Sequence, residues 1–208
     1  MPSKPVLRME EKQRIKQQLL RLCEEAWIDQ GYKKTSIKYL CTEAGISIGT
    51  CYALFSTKEK IFLATAQRIQ SRLMERFKET VSQQPNQKGV STALKELARE
   101  FDRAPFLYDV STPDFRAFVT KLSVEEMRSI KFESITFFRN VCQMANLEPV
   151  IDNETAFGVL STLLSTISTK KTLEPVCDFF TVFDFMTDRL IAELFADKVS
   201  ERSSLRET

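Results

Sequence analysis

The stretch from Thr35 to Glu59, T-S-I-K-Y-L-C-T-E-A-G-I-S-I-G-T-C-Y-A-L-F-S-T-K-E, leaves this chain few folds to choose from. Ile37, Leu40, Cys41 and Ala44 recur at helical spacing and mark one apolar face. Gly45 accepts the left-handed conformation that stops a helix and turns the chain. Ser47 offers an N-cap for a very short helix from Ile48 to about Phe55. Cys51, Leu54 and Phe55 form its inward face, and Ile48, Gly49, Thr50, Tyr52 and Ala53 point outward. Directly behind it, Ser56-Thr57-Lys58-Glu59 reads as a capping box that starts a fresh helix. Two short helices around a tight turn are the layout of a helix-turn-helix, whose second helix enters the DNA major groove.

The charge distribution points the same way. Residues 1–78 hold 15 Lys+Arg against 8 Asp+Glu, a net +7, whereas residues 79–208 hold 15 against 20, a net −5. A basic head on an acidic body is the pattern of a polyanion binder. No histidine occurs. This removes Ser-His-Asp and Cys-His catalysis and most catalytic metal sites, so neither an enzyme nor a cofactor is expected. Cys23, Cys41, Cys51, Cys142 and Cys177 are odd in number, form no C-x-x-C and fall at helical core positions. Buried thiols in a reducing compartment follow. The N-terminal residues have no apolar run of the signal-peptide kind, and the longest apolar stretch, Ala156 to Ile167, is too short to cross a bilayer. A cytoplasmic protein with no membrane partner is expected.

The rest of the chain reads as helix. Ile15, Leu19, Leu22, Cys23, Ala26 and Trp27 stripe a long helix from Glu10 to Gln30 that Gly31 stops. A helix from Thr57 to about Ser82 keeps Ile61, Phe62, Thr65, Ile69, Leu73 and Phe77 on one side. After a loop at Gln83–Gly89, Ala93, Leu94, Leu97, Ala98 and Phe101 repeat at helical spacing. Thr112-Pro113 opens a short helix with Phe115 and Phe118, and Ser123–Glu126 is a second capping box, leading into a helix that continues to Ala145. Asp152 caps a helix through Ser168, and Glu174-Pro175 opens a last one to about Ala196. The fold class is all-α, with about nine helices. A three-helix DNA-binding domain is expected at 10–57, with the helix-turn-helix at about 36–55. A helical domain follows at 58–197, then a tail at 198–208.

Gly31-Tyr32 ahead of Thr35, Ala44-Gly45-Ile46-Ser47, Gly49-Thr50, Tyr52, Phe55 and Ser56-Thr57-Lys58-Glu59 resemble the N-terminal signature of the TetR family (TetR/AcrR-type) of transcriptional regulators, over roughly residues 12–65. Leu54, where an aromatic or histidine is common, and Cys41, where alanine is usual, depart from it. The resemblance implies that Lys38, Ser47, Ile48, Gly49, Thr50, Tyr52, Ala53 and Leu54 face DNA and that Lys58 meets a phosphate. Residue chemistry agrees: Gly49 permits close approach, Ser47 and Thr50 carry hydroxyls, and Tyr52 can set its ring on a sugar. With no Arg, Asn or Gln in the recognition helix, Lys38 becomes the main polar base contact.

The resemblance further implies a helical body that binds a small apolar effector and forms a homodimer. Residues 79–208 hold 13 of the 16 phenylalanines. Phe101, Phe115, Phe118, Phe138 and Phe157 are the candidate pocket lining. Gly158, Ser161 and Ser165 give a small-residue face on the penultimate helix, and the last helix is apolar around more than half its circumference. Those three, with Phe179, Phe183, Met186 and Leu190, are the candidate dimer interface. The leading reading is a ligand-released repressor bound as a homodimer to a palindromic double-stranded DNA operator. The alternatives are a thiol or redox sensor acting through Cys142 or Cys177, and a helical adaptor with no DNA role.

Overall fold

The computed structural model describes residues 8–104, 112–129 and 135–195. The expected tail at 198–208 lies outside them. Among the described residues there is no strand; the elements are eleven α-helices and one 3-10 segment. They run α1 (Met9–Lys34), α2 (Ile37–Ala44), α3 (Ile48–Leu54), α4 (Lys58–Gln83), α5 (Gln87–Arg103), α6 (Pro113–Val119), α7 (Val124–Ser129), α8 (Ile135–Ala145), α9 (Asn153–Ser165), the 3-10 segment (Thr166–Thr169), α10 (Lys170–Leu173) and α11 (Phe179–Leu194). The surplus over nine comes from short pieces. The helix expected from Val124 to Ala145 is described only as α7 and α8, residues 130–134 lying outside the described residues, and the last helix begins at Phe179 rather than behind Pro175. Asp178 sets that start by accepting the Thr181 amide at 2.9 Å.

Two compact units are present, and both are discontinuous in sequence: Met1–Arg72 with Ala104–Lys131, and Leu73–Arg103 with Phe132–Thr208. The first is built on aromatic packing. Trp27, Phe62 and Phe118 are fully buried, with the Trp27 ring edge-on to Phe62 at 4.6 Å and to Phe118 at 5.1 Å. Edge-to-face pairs of this kind add about 0.5–1.5 kcal/mol each to the burial of the rings. Arg72 forks onto Glu24 of α1 at 2.7 and 3.2 Å. Ser123 and Glu126 exchange backbone and side-chain hydrogen bonds at 2.7 and 3.2 Å, the expected capping box of α7.

In the second unit α11 packs on α5 and α9. Its inner face carries Phe179, Phe183, Ile191 and Leu194, all buried. Polar ties run along its flank: Arg99 forks onto Asp184 at 2.8 and 3.1 Å, and Ser91 and Lys95 both reach Asp188 at 2.6 Å. This corrects two dimer candidates. Phe179 and Phe183 are 2% and 0% exposed within one chain, where α11 packs on α5 and α9.

Candidate nucleic-acid interface

The reading head is assembled by local chemistry. Gly31 breaks α1 at φ +82°, ψ 172°, a region closed to residues with a Cβ. The last turn of α1, Tyr32 to Lys34, therefore swings onto a new axis. Asp114 of α6 braces the break, accepting the amides of Tyr32 at 2.6 Å and Lys33 at 3.0 Å. Thr35, fully buried, donates its hydroxyl to the Gly31 carbonyl at 2.8 Å. Ser36 then caps α2 by accepting the Tyr39 amide.

Gly45 sits at φ 66°, ψ 31°. Its amide bonds Thr42 O, and the Ile46 amide reaches back to Cys41 O at 3.0 Å, a Schellman closure. Ser47 accepts the Thr50 amide at 3.0 Å and starts α3. Cys51 and Phe55 seal the inner face of α3. Its outer face is open: Ile48 is 46% and Tyr52 49% exposed, and Gly49 and Ala53 are exposed beside them. Thr50 is half-buried, its hydroxyl 2.9 Å from Ser47 Oγ. Leu54 is half-buried as well. Lys33, Lys34 and Lys38 are exposed and form no ion pair among the described residues.

The start of α4 differs from expectation. Thr57, not Ser56, supplies the cap, accepting the Lys60 amide at 3.3 Å. Glu59 closes no box with Ser56; its carboxylate accepts the Tyr32 hydroxyl at 2.5 Å. Lys58 folds back the same way, donating Nζ to the Tyr32 carbonyl at 2.6 Å and standing 4.1 Å above the Tyr32 ring. Burial lowers its pKa, with Glu59 and Asp114 acting in the opposite sense. Lys58 is thus a strut between α4 and the Gly31 break. No spacing rule links residues so far apart in sequence.

The second unit holds a cavity of about 70 Å³. Phe101 of α5, Phe138 of α8 and Phe157 of α9 line it, with Met74 of α4, Cys142 and, as its only hydroxyl, Ser161. Phe115 and Phe118 do not. Their helix, α6, packs on α1 in the first unit, where both are buried, Phe118 beside Trp27 and Tyr32 and Phe115 against Phe118. Burial pushes the Cys142 thiol up to about 11. Among the described residues no cluster of three or more His, Cys, Asp or Glu could hold a metal, and no helix is long and apolar enough to cross a membrane.

A short capped helix held out from a sealed three-helix core is the reading head of a helix-turn-helix regulator. Residues 19–65 match the family model of the bacterial regulatory proteins, tetR family, so the head is of the kind that model describes. No curated protein sequence matches the chain. Solved structures share its fold at low identity. The transcriptional regulator FadR from Bacillus subtilis, in complex with stearoyl-CoA, is 14% identical over 86% of this chain and 98% of its own, with a TM-score of 0.59. A TetR-family regulator from Mesorhizobium loti is 15% identical over 86% and 94%, TM-score 0.63. The superantigen PfiT is 14% identical over 88% and 97%, TM-score 0.62. That last likeness shows why the head, rather than the fold, must carry the functional argument.

Proposed function

We propose that the chain is a homodimeric repressor that binds a palindromic operator through α3 and leaves it when an apolar effector enters the cavity of the second unit. The observation that carries this is the two-sidedness of α3: a helix of two turns seals Cys51 and Phe55 while leaving Ile48, Gly49, Tyr52 and Ala53 in the open. Lys33, Lys34 and Lys38 supply unpaired positive charge beside it, which favours a phosphate backbone. Lys58 acts here by holding the head together.

For the dimer, Val182, Phe185, Met186 and Arg189 follow one another at helical spacing on α11. Phe185 is 63% exposed with the Arg189 guanidinium 5.5 Å above its ring. With Leu190 and with Gly158 and Ser165 of α9, they form the pairing surface; Ser161, expected there too, lines the cavity instead. For the effector, the lining is apolar except for Ser161, so a hydrocarbon group fits and a charged one does not. About 70 Å³ is less than half the roughly 150 Å³ that admits benzene. Binding must therefore spread side chains such as Met74 and Phe157. Only a ligand that prefers the widened state shifts the equilibrium, and α4, which carries Met74, runs on into the head.

A thiol sensor acting through Cys142 is the weaker reading, because a thiol pushed up to about 11 stays protonated near neutral pH; Cys177, half-buried, is the cysteine through which that reading would have to act. Tyr52→Ala should abolish binding to a duplex selected from a random pool while sedimentation still reports a dimer. Undiminished binding by Tyr52→Ala would reject the head assignment.

A further inference from the structure

We infer that the recognition helix reads thymine methyl groups, so that the half-site is chosen by apolar contact with thymines. This rests on the DNA-binding reading above. Each base edge in the major groove calls for its own partner: Arg or Lys for guanine, Asn or Gln for adenine, Asp or Glu for cytosine, and an apolar side chain for the thymine methyl. From Ser47 to Phe55 the chain holds none of the first three kinds.

What it presents is hydrocarbon. Ile48 stands 46% exposed, with Ala53 and Gly49 open beside it. A side chain built at Gly49 would meet only Ser47 Oγ, at 3.8 Å, so a base edge can approach the backbone there. Ser47 and Thr50 are largely occupied with each other. Ser47 Oγ accepts the Thr50 amide at 3.0 Å, and one of the two hydroxyls donates to the other at 2.9 Å. One free hydroxyl proton is left between them, enough for a phosphate, while Thr50 adds its methyl to the apolar surface. An isoleucine held in water on a helix whose other face is sealed is explained by an apolar partner in the groove. Thymine is the one base that offers a methyl group there.

The test uses the full-length protein and the duplex it enriches most from a random pool. Replacing each thymine with deoxyuridine removes the C5 methyl and leaves every hydrogen-bonding group in place. Affinity should fall about fourfold for each methyl contacted, or about fifteen-fold for two. Ile48→Ala should weaken binding to the thymine duplex and leave binding to the deoxyuridine duplex no worse than that of the unaltered protein. Lys38→Ala should weaken both alike, which separates methyl reading from general loss of contact. Equal affinity for thymine and deoxyuridine duplexes would overturn the inference. Enrichment of no duplex at all would overturn the DNA-binding reading beneath it as well.

Discussion

Gly31→Ala should damage the head through two separable effects, and a double-mutant cycle with Asp114→Ala measures each. The backbone at φ +82°, ψ 172° lies where only glycine is comfortable, so a Cβ there adds strain of about 1–3 kcal/mol. That Cβ would also stand 2.9 Å from Asp114 Oδ2 and 3.0 Å from its Cγ, inside van der Waals contact. The carboxylate must withdraw and release the Tyr32 and Lys33 amides. Two charge-assisted hydrogen bonds in a half-exposed setting are together worth about 2 kcal/mol. Gly31→Ala alone should therefore lose about 3–5 kcal/mol, and Asp114→Ala alone about 2 kcal/mol. With Asp114 already truncated, Gly31→Ala retains only the strain, so the double variant should be about 2 kcal/mol more stable than the sum predicts. Denaturant titration of the first unit gives the energies, and hydrogen exchange at the Tyr32 and Lys33 amides locates the change. Additivity to within about 0.5 kcal/mol would refute the claim that the carboxylate braces the Gly31 break.

Three further outcomes can be checked directly. The Lys60 ammonium and the Ser123 amide hold the Glu126 carboxyl down at about 2. Its stabilising effect should be fully present above the ordinary carboxylate range and disappear as pH falls from there through about 2; a carboxyl titration by NMR should give that midpoint and move upward in Lys60→Ala. Native thiol titration should label Cys177 first, because Cys23 and Cys51 are pushed up to about 12 and Cys142 to about 11 by burial, and Cys41 is buried; rapid labelling of Cys142 would contradict its packing. Leu160→Ala in the cavity wall should destabilise the second unit by about 3–5 kcal/mol in denaturant melts and be partly rescued by a small apolar solute such as benzene.

How much of this was legible depended on the range of the interaction concerned. Gly45, Ser47, Asp152 and the Ser123–Glu126 box were readable because each motif closes within a few residues, where side-chain chemistry alone fixes the backbone. The Ser56 box failed although it obeys the same local rule. Glu59 had a better partner in Tyr32, which lies 27 residues earlier. Lys58 was readable as a cation near the head, but its carbonyl partner on Tyr32 exists only once α1 and α4 are packed.

The misplaced phenylalanines follow from the same limit. Periodicity tells which side of a helix is apolar, yet it carries no information about which neighbour covers that side. Phe115 and Phe118 satisfied the pattern of pocket lining and were claimed instead by the aromatic group around Trp27. On α11 the apolar arc is wider than the chain itself covers. The fold buries the Phe179 and Phe183 side and leaves Phe185 in water. For the proposed dimer, the half of the arc that the fold leaves uncovered is the half to mutate: Phe185→Asp should split the dimer in sedimentation, whereas an acidic residue at the buried Phe183 should unfold the second unit.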